Sequence, residues 1–233
     1  MRIPLTFGAF SVCMALASVP AAAQVAKPTA AIPDFDSVSA PNSIVAAAQA
    51  FNANLPARSS FKSARILETM KSSSTGTVKI AVDLLPTADG LTRVREIYSP
   101  NFYVDREMVG LVQLKSKMSA VDTSVSVTQA LTVKAHDWKK GGEVSFATEA
   151  VDVPGKGKAS DSGLDCQVGS PVSASKVSSG LPGNAWPLDC LRLGDGPVKG
   201  YYVEALGYFL ATREGSKESG IADTTVDSIS IER

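Results

Sequence analysis

The chain is poor in the residue types that announce most enzymes. Among its 233 residues there is one histidine, three cysteines and only 6% aromatics. A Ser–His–Asp triad would have His136 as its only base, and no serine sits in a Gly-x-Ser-x-Gly elbow. A zinc site wants three or four His, Cys or carboxylate ligands, so one histidine and one pair of oxidisable cysteines argue against it. Calcium fares no better, since neither "DFDSVS" nor "DRE" has EF-hand spacing. No Gly-rich phosphate cradle leads into a helix, and Gly180 and Gly183 read as turn residues. The expectation is a protein without metal, cofactor or catalytic residues. With 23 basic and 23 acidic residues and no basic stripe, nucleic acid is not an expected partner.

A long hydrophobic run is present only at the start. The sequence "MRIPLTFGAFSVCMALASVPAAAQ" has Arg2, an apolar stretch from Ile3 to Val19 and a small-residue tripeptide, Ala21-Ala22-Ala23. That is the build of a secretory signal peptide over 1–23, too short and too broken for a bilayer span. Export to the periplasm or the outside is therefore expected, and no transmembrane segment is expected in the mature chain. Residues 24–41 are rich in Ala, Pro and Ser and read as a flexible extension. Residues 42–233 have the length of one domain with its own core.

That domain reads as mainly β. One short helix is predicted, capped by Asn42 or Ser43, with Ile44, Ala47, Ala48 and Phe51 on one face and Leu55-Pro56 ending it. From about Ala64 the period becomes two. Val78, Ile80, Val82 and Leu84 alternate with Thr77, Lys79, Ala81 and Asp83, and "PTADG" then turns into "LTRVREIY". Residues 124–153 read as a long hairpin, with Val125, Val127, Leu131, Val133 and Ala135 on one face and Gln129 interrupting it. Strands punctuated by turns, without crossover helices, predict an antiparallel β-sandwich or half-open β-barrel. An outer-membrane barrel fits less well, because charges recur on strand faces and aromatic girdles are missing.

Cys166 and Cys190 are the only cysteines after the leader. They do not form a Cys-x-x-Cys, and each follows an aspartate, whose charge discourages a reactive thiolate. In an oxidising compartment they are expected to bridge, contributing on the order of 3–4 kcal/mol by the chain-entropy argument.

The candidate ligand or interaction residues are Trp186, Leu181, Tyr201, Tyr202 and Tyr208, together with Arg93 and Arg95 as an anion site. Core packing for the aromatics and a solvated sheet face for the arginines are the competing readings. The leading expectation is a non-catalytic envelope protein binding a hydrophobic ligand, a lipid, a glycan or another envelope protein. A first alternative is a hydrolase whose carboxylates, drawn from Asp83, Glu96, Asp105, Glu143 and Glu149, meet in space. A second is an interaction module presenting the 167–189 loop.

Overall fold

The structure, a computed structural model, describes residues 34–56, 60–119, 124–154, 160–216 and 220–233. The leader and the first part of the extension lie outside the described residues. Strands form wherever the two-residue period recurs. They are β1 (Ser63–Ser72), β2 (Gly76–Pro86), β3 (Thr92–Ser99), β4 (Phe102–Val109), β5 (Val112–Met118) and β6 (Val125–His136). There follow β7 (Glu143–Val153), β8 (Ser160–Val168), a two-residue β9 (Val172–Ser173), β10 (Asn184–Arg192), β11 (Gly196–Val203), β12 (Tyr208–Ser216) and β13 (Gly220–Glu232).

Apart from β9, which flanks the start of β10, each strand pairs antiparallel with its neighbour in sequence. β13 then returns to β1, from Ser63↔Glu232 to Ser72↔Ala222. That ladder closes a twelve-stranded barrel, which corrects the sandwich alternative and completes the half-open one. The physical reason is edge pairing, since the β1–β13 ladder covers one edge of each terminal strand along its length.

Alternation sets the two faces. On β2, Ile80, Val82 and Leu84 are buried inward while Thr77 and Lys79 are exposed. On β6 the expected single face is corrected. Gln129 and Lys134 are bulge residues, so Val125 and Val127 share a face with Val153 and Val151, whereas Leu131 and Val133 share the opposite one with Thr148 and Phe146. The interruption noticed at Gln129 is the bulge itself.

Two apolar clusters make up the core, the first extending to Phe35 and Ala40 outside the barrel wall, and β12 runs between them. Phe209 and Ala211 pack with Phe51, Val144, Phe146 and Tyr202, while Tyr208 and Leu210 pack with Ile66, Ile80, Val82 and Val94. This is possible because β12 pairs with β13 only from Arg213 onward, leaving its first half free to lean inward. Gly200 of β11, beside the bulge at Thr212 of β12, assists: a Cβ there would overlap the carbonyl oxygen of Leu210.

One end of the barrel is plugged. Helix α1 spans Asn42–Asn52 with Pro41 as its N-cap, so Asn42 is the first helical residue and no side chain caps it. Gln49 Nε2 donates to the Asp89 carbonyl at 2.9 Å in the β2–β3 turn, Asn52 Nδ2 donates to the Val109 carbonyl, and Phe51 meets Phe146 edge-on at 5.4 Å. Gly110, at positive φ, lies so close to Asn52 that a side chain there would displace it.

Residues 34–41, the end of the stretch read as flexible, lie against the outer face of the barrel. Phe35 and Ala40 are buried, and the Lys115 Nζ donates to the carbonyls of Phe35 at 3.1 Å and Val38 at 2.8 Å. Glu107 completes the lysine's environment at 3.4 Å.

Candidate functional site

Cys166 and Cys190 face each other directly across β8 and β10 and form a disulfide with a Cα–Cα distance of 4.0 Å. Both lie in the first cluster, so the bridge is a cross-strand staple inside the core. The segment between them docks on the protein's own interior. Ala174 and Leu181 are buried in the second cluster, and β9 adds two pairs to β10.

The aromatic candidates divide in the same way. The Trp186 Nε1 donates to Glu204 at 2.8 Å, and Trp138 lies between Trp186 at 5.9 Å and Tyr202 at 5.1 Å. Tyr201 packs at the edge of the second cluster, and only Tyr208 reaches the cavity described below. The arginines are already matched by carboxylates on the outer face. Arg93 pairs with Asp36 at 3.0 Å, and Arg95 grips Asp105 with two bonds, at 2.7 and 2.9 Å, while covering Tyr103. Two matched arginines leave little positive charge for an anion.

A different set of residues builds the site. The lumen holds a cavity of about 380 Å³, whose lining reaches Phe146 and Gly110 beside α1. That volume is within the range of small-molecule sites. Met70, Ile80, Val82, Met108 and Tyr208 give it apolar surface, and Glu68, Glu96, Arg106, Arg192, Asp195 and Glu214, interleaved with them, give it charge.

The charges are paired unevenly. Arg106 donates to both oxygens of Glu96, at 3.1 and 3.2 Å, and to Gln113 at 2.5 Å. The Tyr98 hydroxyl adds a third bond to Glu96 at 3.2 Å. Arg192 meets Glu214 at 3.0 Å. Glu68 is 9% exposed, and among the described residues its carboxyl has no hydrogen bond or ion pair, although the Tyr208 hydroxyl is near enough to feel its charge.

These environments shift the acid–base balance. Burial, helped by the like charges of Glu96, Glu214 and Asp227, pushes the Glu68 carboxyl from 4.5 up to about 7. Burial and then Glu96 push the Tyr98 hydroxyl up, and Tyr208 rises for the same reasons, so both tyrosines stay neutral. Burial works against the Arg106 charge, but Glu96 outweighs it and holds the guanidinium above its ordinary value.

No family model, curated protein or solved structure matches the chain. The site must be read from its own geometry.

Sequence reasoning named Glu96 and Tyr208 but missed Glu68, Arg106, Arg192 and Glu214. A signal was there. In Ile66-x-Glu68-x-Met70 and Val104-x-Arg106-x-Met108 a charge falls in the apolar phase of a strand, which is where a lumen residue has to be.

Proposed function

We propose that the chain is a non-catalytic binding protein of an exported compartment whose barrel lumen takes up a small amphipathic molecule. The observation that carries this reading is the lumen cavity, whose lining interleaves apolar and charged side chains, with Ile80 opposite Glu68 and Val82 opposite Glu96. A purely hydrophobic ligand would leave the Glu68 carboxyl desolvated without compensation, so the ligand class narrows from hydrophobic to amphipathic. Export rests on the leader-like N-terminus, and the disulfide is consistent with an oxidising compartment. The outer face carries the ion pairs Lys79–Asp227 at 2.9 Å, Lys199–Asp189 at 2.5 Å and Arg213–Asp223 at 3.6 Å, which suit water and not a lipid-facing band. Among the described residues no helix is long and apolar enough to cross a membrane.

Titration calorimetry with octanol tests the reading. Octanol should bind the wild type and fail to bind Ala150→Trp, whose side chain would occupy the lumen, while circular dichroism shows the variant folded. Equal binding to both proteins, or to neither, would overturn it.

A second reading, carboxylate-based hydrolysis, gains from the meeting of Glu68 and Glu96 in one cavity, the first poised as an acid. Against it, Glu96 already accepts bonds from Arg106 and Tyr98 and has little left to offer a substrate or water. Turnover of nitrophenyl glycosides or esters that disappears in Glu68→Gln would establish this second reading.

A further inference from the structure

The cavity lining carries four carboxylates, Glu68, Glu96, Asp195 and Glu214, against two guanidiniums, Arg106 and Arg192. Each guanidinium is engaged by a carboxylate, and Asp195 is solvated and 4.0 Å from Arg192, so the buried surplus of negative charge falls on Glu68. Among the described residues no cation on another element around the cavity pairs with it. β13 brings Asp227 from the outer side, the β10–β11 turn brings Asp195, and the two tyrosines stay neutral. A carboxyl that is nine-tenths buried, has no partner and lines a cavity is a costly arrangement unless something occupies the space before it.

We propose that the lumen is selective for a small amphipathic cation, a protonated amine on an apolar body, with the Glu68 carboxylate as its counter-charge. This rests on the reading of the lumen as the binding site and adds the charge of the occupant. The apolar body would lie along Met70, Ile80, Val82 and Met108, which share the cavity with Glu68. An anionic amphiphile meets the same wall but faces like charge at Glu68, and a neutral one leaves the carboxyl unpaired.

Three probes with one tail separate the outcomes: octylammonium, octanol and octanoate, each titrated calorimetrically into the full chain. Octylammonium should bind the wild type about tenfold to a hundredfold more tightly than octanol, the range expected for a hydrogen bond to a charged group. Octanoate should bind more weakly than either. In Glu68→Gln the preference for the amine should vanish while octanol binding remains.

A pH profile adds a readout that mere packing would not move. With the Glu68 carboxyl at about 7, affinity for the amine should be weaker at about pH 5.5 than at about pH 8.5, by roughly 8-fold if the charge preference is about tenfold and roughly 24-fold if it is about a hundredfold, with octanol unchanged. The amine itself stays protonated throughout. Equal binding of octanol and octylammonium would overturn the charge selectivity and leave the lumen site standing. Failure of all three probes would overturn both.

Discussion

Replacing Glu68 with glutamine should stabilise the unliganded protein in alkali and hardly change it in acid. The folded-state value of Glu68 lies above its unfolded value, so its contribution is fully present below 4.5 and declines as the pH rises through about 7. The interval from 4.5 to about 7, at about 1.36 kcal/mol for each pH unit, corresponds to a loss of about 3 kcal/mol by pH 8.5 or so. Glutamine has no charge to desolvate and escapes that loss. Urea unfolding of both proteins at about pH 4 and about pH 8.5 gives the test as a difference of differences, in which effects shared by the two chains cancel. The variant's advantage should grow by about 3 kcal/mol between the two conditions. Glu149→Gln, at an exposed position of β7, should show no such growth. If the Glu68 variant and the wild type keep a constant separation across pH, the buried and unpartnered carboxyl described here is not present in solution.

Other consequences of the fold can be checked by the same denaturation assay. Lys115→Met should cost about 3 kcal/mol or more, because it removes the bonds to Phe35 and Val38 and leaves Glu107 without its cation; proteolysis should then cut near residues 34–41 first. Phe51→Ala should cost about 3–5 kcal/mol by opening a hole between α1 and Phe146, and a cost below about 1 kcal/mol would mean that the helix does not plug the barrel. The paired change of Cys166 and Cys190 to alanine should lower stability by about 3–4 kcal/mol, and a reducing agent should lower the wild type by a similar amount and leave the variant unaffected.

Local chemistry made much of this fold legible and left its closure hidden. The strand of Val78 to Leu84, the hairpin of residues 124–153 and the helix carrying Ala48 and Phe51 follow from period and turn signals alone. The barrel does not, because it depends on Ser63 finding Glu232 across nearly the whole chain, and no local pattern encodes that pairing. The site divides along the same line. The cysteine pair was readable from compartment and composition. Glu68 was harder, since "ARILETMK" is equally compatible with a helical turn, and its phase has meaning only once β1 is known to be a strand. Arg93 and Arg95 drew attention as a pair, yet their partners Asp36 and Asp105 come from other elements. The aromatic residues Trp186 and Tyr202 were chosen for their chemistry, and the fold uses them against Trp138.

The most direct test of the lumen as a binding site is anomalous diffraction from crystals soaked in a bromoalkyl alcohol. The account predicts a bromine peak inside the barrel, beside Met70, Met108 and Tyr208. Bromine peaks confined to the outer surface, with the lumen unoccupied at saturating probe, would contradict it.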